Sequence, residues 1–182
     1  MEQLLTSLKL KLQKLGALQP EAWEMICFHL VTIQLKPNQS FVRSEGSLAF
    51  VAEGVLKEYD VADRKQPSII NFITIGQCIH TRSYNRKYYL KACTSSIIYF
   101  WNETVLLEIS KEFNELRPIY HRLCAEYDEG ILFRMRLLEM TVPRRISAFR
   151  VVFKDVVPYL KKKDIANYLN LHYTNFLRHW NS

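Results

Sequence analysis

The hydrophobic period of this chain changes twice along its length, and those changes limit the possible folds more than any single motif. From residue 4 to 34 apolar residues recur every three or four positions. "MEQLLTSLKLKLQKLG" spaces Leu4, Leu5, Leu8, Leu12 and Leu15 along one helical face, and Gln19-Pro20-Glu21 interrupts it before Trp23, Ile26, Cys27 and Leu30 begin another. Between Lys36-Pro37 and about Trp101 the pattern becomes short β-rich runs, "SFVRSEG", "LAFVAEGVLKEYDVA", "SIINFITIG" and "YYLKACTSSIIYFW", punctuated by Gly46, Gly54, Pro67 and Gly76. Strands at such close, regular spacing fit a small antiparallel barrel or jelly roll. After Asn102 the helical period returns and persists to Met140; Pro143 ends it, and a helical cluster fills the remainder. The expected class is therefore α+β: a β-roll of the jelly-roll type with flanking helices over 1–112, a long helix over 113–141, and a C-terminal helix-turn-helix over 142–182.

The long helix has its own pattern. After Pro118, positions Ile119, Leu123, Tyr127, Ile131, Met135 and Leu138 recur at three-to-four-residue intervals, with Arg122, Glu126, Glu129, Arg136 and Glu139 off that stripe. A helix of this length exceeds what a small barrel needs to cover one face, so Ile119, Leu123, Tyr127, Ile131 and Leu138 are expected along a two-fold homodimer seam rather than on the chain's own barrel.

Charge is concentrated at one end. Residues 141 to 182 hold eight Lys and Arg (Arg144, Arg145, Arg150, Lys154, Lys161, Lys162, Lys163, Arg178) against Asp155 and Asp164, which is six of the net +7. Such clustering points to a polyanionic partner, because a concentrated positive field attracts phosphates. Within that segment, "KDIANYLNLHYTNFL" places Ile165, Ala166, Leu169, Leu171 and Phe176 where two crossing helices would bury them. Asn170 stands where the turn needs a left-handed conformation. The second helix would expose Tyr173, Thr174, Asn175 and Arg178. Arg can bind guanine bidentately, Asn can bind adenine, and Thr and Tyr can reach phosphates or thymine methyls. Lys161, Lys162 and Lys163 would hold the phosphate backbone of double-stranded DNA without reading sequence.

Several chemistries find no support. No apolar run reaches 18 residues and the start shows no signal-peptide cleavage site, so a cytoplasmic protein without membrane contact is expected. Cys27, Cys78, Cys93 and Cys124 are scattered, with no Cys-x-x-Cys, and suggest neither a disulfide framework nor a structural zinc site. There is no Ser-His-Asp arrangement, no supported carboxylate pair and no phosphate-cradling glycine loop, and an enzyme is not expected. Cys78-Ile79-His80 offers a thiolate and an imidazole, but a lone Cys-x-His on a strand is usually core filler; no haem and no other cofactor or metal is expected.

The order of these parts resembles the cyclic-AMP receptor protein and fumarate-nitrate regulator (Crp/Fnr) family of bacterial transcription regulators. "FVRSEG" followed by "FVAEGVLKEYDV" is similar to the family's strand-Glu-Gly and Phe-Val-x-x-Gly-hydrophobic-Lys/Arg-x-Tyr runs, and "FITIGQ" to its Phe-x-x-Gly-Glu. "ISAFRVVFKDVVPYLKKKDIANYLNLHYTNFLRHW" resembles the winged-helix region common in members like those of Bacteroidetes. The resemblance implies a cyclic-nucleotide-binding-like β-roll, a homodimer, DNA as partner, a contact with RNA polymerase and a small-molecule effector of unknown identity. It also places the effector pocket at Gly76, Gln77, Arg86, Lys87 and Tyr88. In cyclic-nucleotide-binding members Gly-Glu captures the ribose, and Arg followed by two small residues holds the cyclic phosphate. Here Gln77 has lost the carboxylate and Lys87 and Tyr88 are large enough to fill the phosphate site, so cyclic AMP is not expected to bind. The family's reading run, Arg/Pro-Glu-Thr-hydrophobic-Ser/Gly-Arg, is replaced by Tyr173-Thr174-Asn175-Phe176-Leu177-Arg178, with Leu177 adding bulk where a small residue is usual. The alternative is a ligand- or protein-binding sensor or scaffold of the same fold that no longer reads DNA sequence.

Overall fold

Among the residues that the structure, a computed structural model, describes (2–62, 66–85 and 87–181), eight strands form two four-stranded antiparallel sheets. In chain order they are β1 (Val31–Leu35), β2 (Ser40–Phe41), β3 (Leu48–Glu53), β4 (Leu56–Asp60), β5 (Ser68–Ile73), β6 (Cys78–His80), β7 (Tyr89–Ala92) and β8 (Ser96–Trp101). One sheet runs β1-β8-β3-β6 and the other β2-β7-β4-β5, so consecutive strands alternate between sheets, as in the expected jelly roll, except at the β4–β5 hairpin. Ala49, Val51, Leu56, Ile73, Ile79, Leu90 and Ile98 fill the space between the sheets.

β3 explains why its sequence reads as an unbroken apolar run. Ala49 and Val51 point between the sheets, while Leu48, Phe50 and Ala52 point to the opposite face and pack beneath helices. A strand covered on both faces loses the polar alternation of a half-exposed one. The chain reverses into β4 at Gly54, whose φ of +90° only glycine adopts readily and whose added Cβ would run into the Ser95 carbonyl and the Ser96 side chain.

The helices are α1 (Glu2–Leu15), α2 (Pro20–Phe28), α3 (Glu103–Glu112), α4 (Leu116–Leu138), α5 (Val142–Val152), α6 (Lys162–Tyr168) and α7 (Tyr173–Trp180), with a short 3-10 turn at Val157–Tyr159. α1, α2, α3 and the start of α4 cover the outer face of the first sheet. α5, α6 and α7, with the end of α4, cover the second through Val55, Ile69 and Phe72. α4 lies along β6 and β5, the edge strands on one side of the roll. No described helix is long and apolar enough to cross a membrane.

Three local expectations are corrected. The helical reading of residues 4 to 34 overran β1, where Val31, Ile33 and Leu35 alternate with polar residues and pair with β8 from Val31↔Phe100 to Leu35↔Ser96. β6 fell between the β-rich runs and was marked only by the reading of Cys78-Ile79-His80 as strand residues; three residues are too few to show a period. The helical stretch after Asn102 is two helices. The Asn102 side chain accepts from Val105 N at 2.9 Å to start α3, and the chain breaks at Phe113 before α4.

Candidate functional site

The helix-turn-helix is built as its residue pattern requires. Ile165, Ala166, Leu169 and Phe176 are buried with Ile146, Phe149, Phe153 and Leu160, and Leu171 is half-buried. Asn170 takes φ +52°, and around it Leu171 N donates to Ala166 O (2.9 Å) and Asn170 N to Asn167 O (3.0 Å). This is the Schellman closure, which satisfies the last carbonyls of α6 and turns the chain into α7.

The seven expected DNA-contacting residues lie on one region of the surface but are not equally available. Lys161, Lys162, Lys163, Thr174 and Arg178 are exposed, whereas Tyr173 and Asn175 are half-buried. Tyr173 stacks on Phe176 with centroids 6.4 Å apart, and Lys163 Nζ lies 5.8 Å from the Tyr173 ring. Leu177, which adds bulk where close approach to DNA or to the neighbouring helix is expected, is half-buried against the core of the helical domain. His172 escaped the sequence reading. It is exposed just ahead of α7, with Nδ1 2.8 Å from Thr174 Oγ1, and its place before the first apolar-periodic residue was the available signal.

Part of the basic charge has a structural task. Arg145 donates to the carbonyls of Leu138 (2.8 Å), Met140 (3.0 Å) and Leu169 (2.8 Å), tying the end of α4 to the turn of the helix-turn-helix. Arg150 reaches the Trp180 carbonyl and stacks over its ring at 4.1 Å. The helical domain is also fixed to the roll. Lys57 Nζ meets Asp164 at 2.6 Å, and Arg134 donates to Tyr168 O (2.9 Å) and Ser68 Oγ (3.0 Å). The Asn167 amide accepts from Ile69 N (2.6 Å) and donates to Pro67 O (3.0 Å), closing the free edge of β5 as another strand would. Tyr168, fully buried, sits among Phe72, Phe149 and Phe153.

The roll interior differs from the expected effector pocket. Gly76 and Gln77 form the β5–β6 turn. Gln77 is exposed, and its Oε1 accepts from Thr74 N at 2.7 Å, closing the turn itself. Lys87 is exposed, Tyr88 is half-buried, and Arg86 lies outside the described residues. Lys87 therefore does not fill a phosphate site. The groups occupying the space between the roll and α4 come from elsewhere. Arg43 Nη1 pairs with Glu58 Oε1 at 2.5 Å, the two side chains being 2% and 0% exposed. The Tyr127 hydroxyl donates to the same Glu58 oxygen (2.6 Å) and accepts from Asn85 Nδ2 (3.2 Å) and Arg43 Nη2 (3.3 Å). Arg43 further donates to Thr81 Oγ1 (3.3 Å) and Asn85 O (3.0 Å). Burial opposes the Arg43 charge, but Glu58 and Tyr127 outweigh it and raise its pKa. Burial, then the Glu58 charge, raises the Tyr127 phenol well above its ordinary range. Beside this cluster Arg82 holds Asp128 of α4 through two bonds of 2.9 and 3.0 Å. The segment after β6 is thus bridged to α4 by the protein's own side chains.

The same geometry corrects the dimer stripe. Ile119, Leu123 and Tyr127 are 2%, 3% and 4% exposed and pack on the chain's own roll and N-terminal helices, while Ile131 and Leu138 are half-buried. The outward face of α4 carries His121, Ala125, Leu132, Met135 and Glu139 instead. Cys78 is buried, and burial raises its thiol well above the ordinary range. Burial, then the Arg82 charge, lowers the His80 imidazole to about 4; its Nδ1 lies 2.9 Å from the Tyr120 hydroxyl.

No family model matches the sequence, and no curated protein matches it. Solved structures do. FixK2 from Bradyrhizobium japonicum superposes with a TM-score of 0.71 at 14% identity, covering 84% of this chain and 83% of that one. A protein from Eubacterium rectale assigned to the crp/fnr family of transcriptional regulators gives 0.67 at 15% identity, over 89% and 82%. The c-di-GMP-responsive global regulator CLP of Xanthomonas campestris gives 0.62 at 13% identity, over 90% of each chain. This chain therefore has the fold of the Crp/Fnr-type transcription regulators, a β-roll joined through a long helix to a helix-turn-helix.

Proposed function

We propose that this protein is a cytoplasmic, homodimeric, DNA-binding transcription regulator of the Crp/Fnr type, without enzymatic activity, whose β-roll does not take cyclic AMP. One observation carries the reading: a Schellman-closed helix-turn-helix presents Thr174 and Arg178 outward beside the exposed Lys161, Lys162 and Lys163. An α-helix fits the major groove, where Arg and Asn side chains read base edges while lysines hold phosphates. The seat of α6 on β5 and Arg134 holds α7 in a fixed direction relative to α4, so two copies paired along α4 would present two α7 helices to one duplex. The outward face with Leu132 and Met135, 45% and 57% exposed, supports pairing there because its residues recur at coiled-coil spacing. The exclusion of cyclic AMP is supported by Gln77, which offers no carboxylate to a ribose and closes its own turn through Thr74 N, and by the Arg43 guanidinium, whose charge is already paired with Glu58.

Selection of bound duplexes from a random pool, followed by titration of variants, tests the reading. Arg178→Ala should cost about 1–3 kcal/mol on the selected site and little on random DNA. Neutralising Lys161, Lys162 or Lys163 should weaken both equally and reduce the salt dependence by about one released counterion each. Equal losses on both DNAs for Arg178→Ala would leave the sensor or scaffold reading.

A further inference from the structure

A cavity of about 540 Å³ lies outside the roll, between the outer face of the first sheet and α1, α3 and the start of α4. Arg43, Glu58 and Tyr127 do not line it, although Thr81, whose Oγ1 accepts from Arg43, is on its wall. Its walls are apolar: Leu12 from α1, Phe50 and Trp101 from the sheet, Ile109 from α3, Leu116 and Leu123 from α4. The indole N–H of Trp101 already donates to Ile26 O at 2.9 Å, so that ring meets the cavity with no unmet polar atom. Among the described residues the charged lining groups are not free within it. Glu45, Glu103 and Arg117 are solvent-exposed, and Arg82 is paired with Asp128. Among the polar groups of the wall, Thr81 already accepts from Arg43 and Ser110 donates to Leu107 O, while His80 and Tyr120 form a neutral pair whose hydroxyl can donate once and accept twice and so keeps capacity beyond its contacts with His80 and Cys124. A space of this size, mostly apolar with a few convergent polar groups, has the character of a small-molecule site.

We infer that this cavity binds an uncharged, largely apolar molecule of the size of two or three fused rings, which places one hydroxyl or amine against Tyr120 and His80. An anion is disfavoured because Arg82 on the wall is already held by Asp128 and Arg117 is exposed to solvent, so neither neutralises a charge placed against Tyr120 and His80, and a buried charge without a partner is strongly opposed. The site lies at the opposite end of α4 from the helix-turn-helix. Leu116, Tyr120 and Leu123 line the cavity, while Arg134 and Leu137 seat α6 and the helical core. An occupant would tie the start of α4 to α1, α3 and β6, and it would act as an effector; that role alone rests on the regulator reading, and binding is measured on the full chain without DNA.

The probe is 1-aminoanthracene, neutral at pH 7, titrated by fluorescence beside 1-anthracenecarboxylate, which has the same rings and a negative charge. Saturable binding of the amine is expected, with the carboxylate at least about tenfold weaker and Tyr120→Phe about fivefold weaker. Leu106→Trp from the helical wall and Leu48→Phe from the sheet should each lower affinity by about tenfold or more by occupying the space. Folding of each is checked by circular dichroism, and either filling variant alone decides the location. Absence of saturable binding, equal binding of the carboxylate, or binding that survives a folded filling variant would overturn the inference.

Discussion

Replacing Arg43 with Met removes the guanidinium and keeps most of its stem. Four hydrogen bonds are lost, to Thr81 Oγ1, Glu58 Oε1, Asn85 O and the Tyr127 hydroxyl. What remains matters more. Glu58 is 0% exposed, keeps only the Tyr127 hydroxyl on Oε1, and among the described residues has no partner for Oε2. Breaking a buried pair by removing one member costs about 3–5 kcal/mol, because the other charge stays in a medium that solvates it poorly. For a chain of this length each kcal/mol lowers Tm by about 2–4 °C, so a fall of about 6–20 °C is expected. Arg43→Met combined with Glu58→Leu removes both charges and should recover most of that loss, since an apolar pair of similar volume is often as stable as the ion pair it replaces. Urea unfolding followed by both circular dichroism and tryptophan fluorescence gives the three free energies of the cycle. A single variant less than about 1 kcal/mol below the parent, or a double variant no better than the single, would refute the claim that this pair supports the roll.

Met135→Glu or Leu132→Glu should convert a dimer to a monomer in light scattering at micromolar concentration, whereas Leu123→Glu, buried in its own chain, should unfold the protein; a monomeric parent would dismiss the seam. His80, lowered to about 4 when folded against about 6.5 unfolded, binds its proton more readily in the unfolded chain. Stability should therefore fall as pH drops through 6.5 toward 4, by about 2–3 kcal/mol for this group, and His80→Gln should flatten that part of the profile. Asn170→Gly should leave stability nearly unchanged, while Asn170→Val, forced to φ near +52°, should lose about 1–2 kcal/mol in the same unfolding measurement.

What could be read before any coordinates were known was what repeats locally. The run "LAFVAEGVLKEYDVA" announced β structure, and Ile165, Ala166, Leu169 and Phe176 announced two crossing helices with Asn170 at the turn. In each case the backbone period carries the side chains to a known side, so the pattern and the geometry are the same fact. β1 was lost because a helical period was carried past the point where alternation began, and β6 was marked only as the strand carrying Cys78-Ile79-His80, because three residues have no period to detect.

Which surface each pattern meets was settled only in three dimensions. The stripe at Ile119, Leu123 and Tyr127 correctly marked a buried face, yet period cannot distinguish a second copy from the chain's own roll; the roll took that face. The counted charges of Arg145 and Arg150 are engaged by the protein's own carbonyls and an indole, which charge density along the sequence does not reveal. The chamber was least legible of all. Arg43 lies 15 residues from Glu58 and 84 from Tyr127, and each of the three is unremarkable in its own segment. Local chemistry sets which residues avoid water, but pairing across such distances depends on how the strands and α4 cross, and that crossing is a property of the whole packed chain.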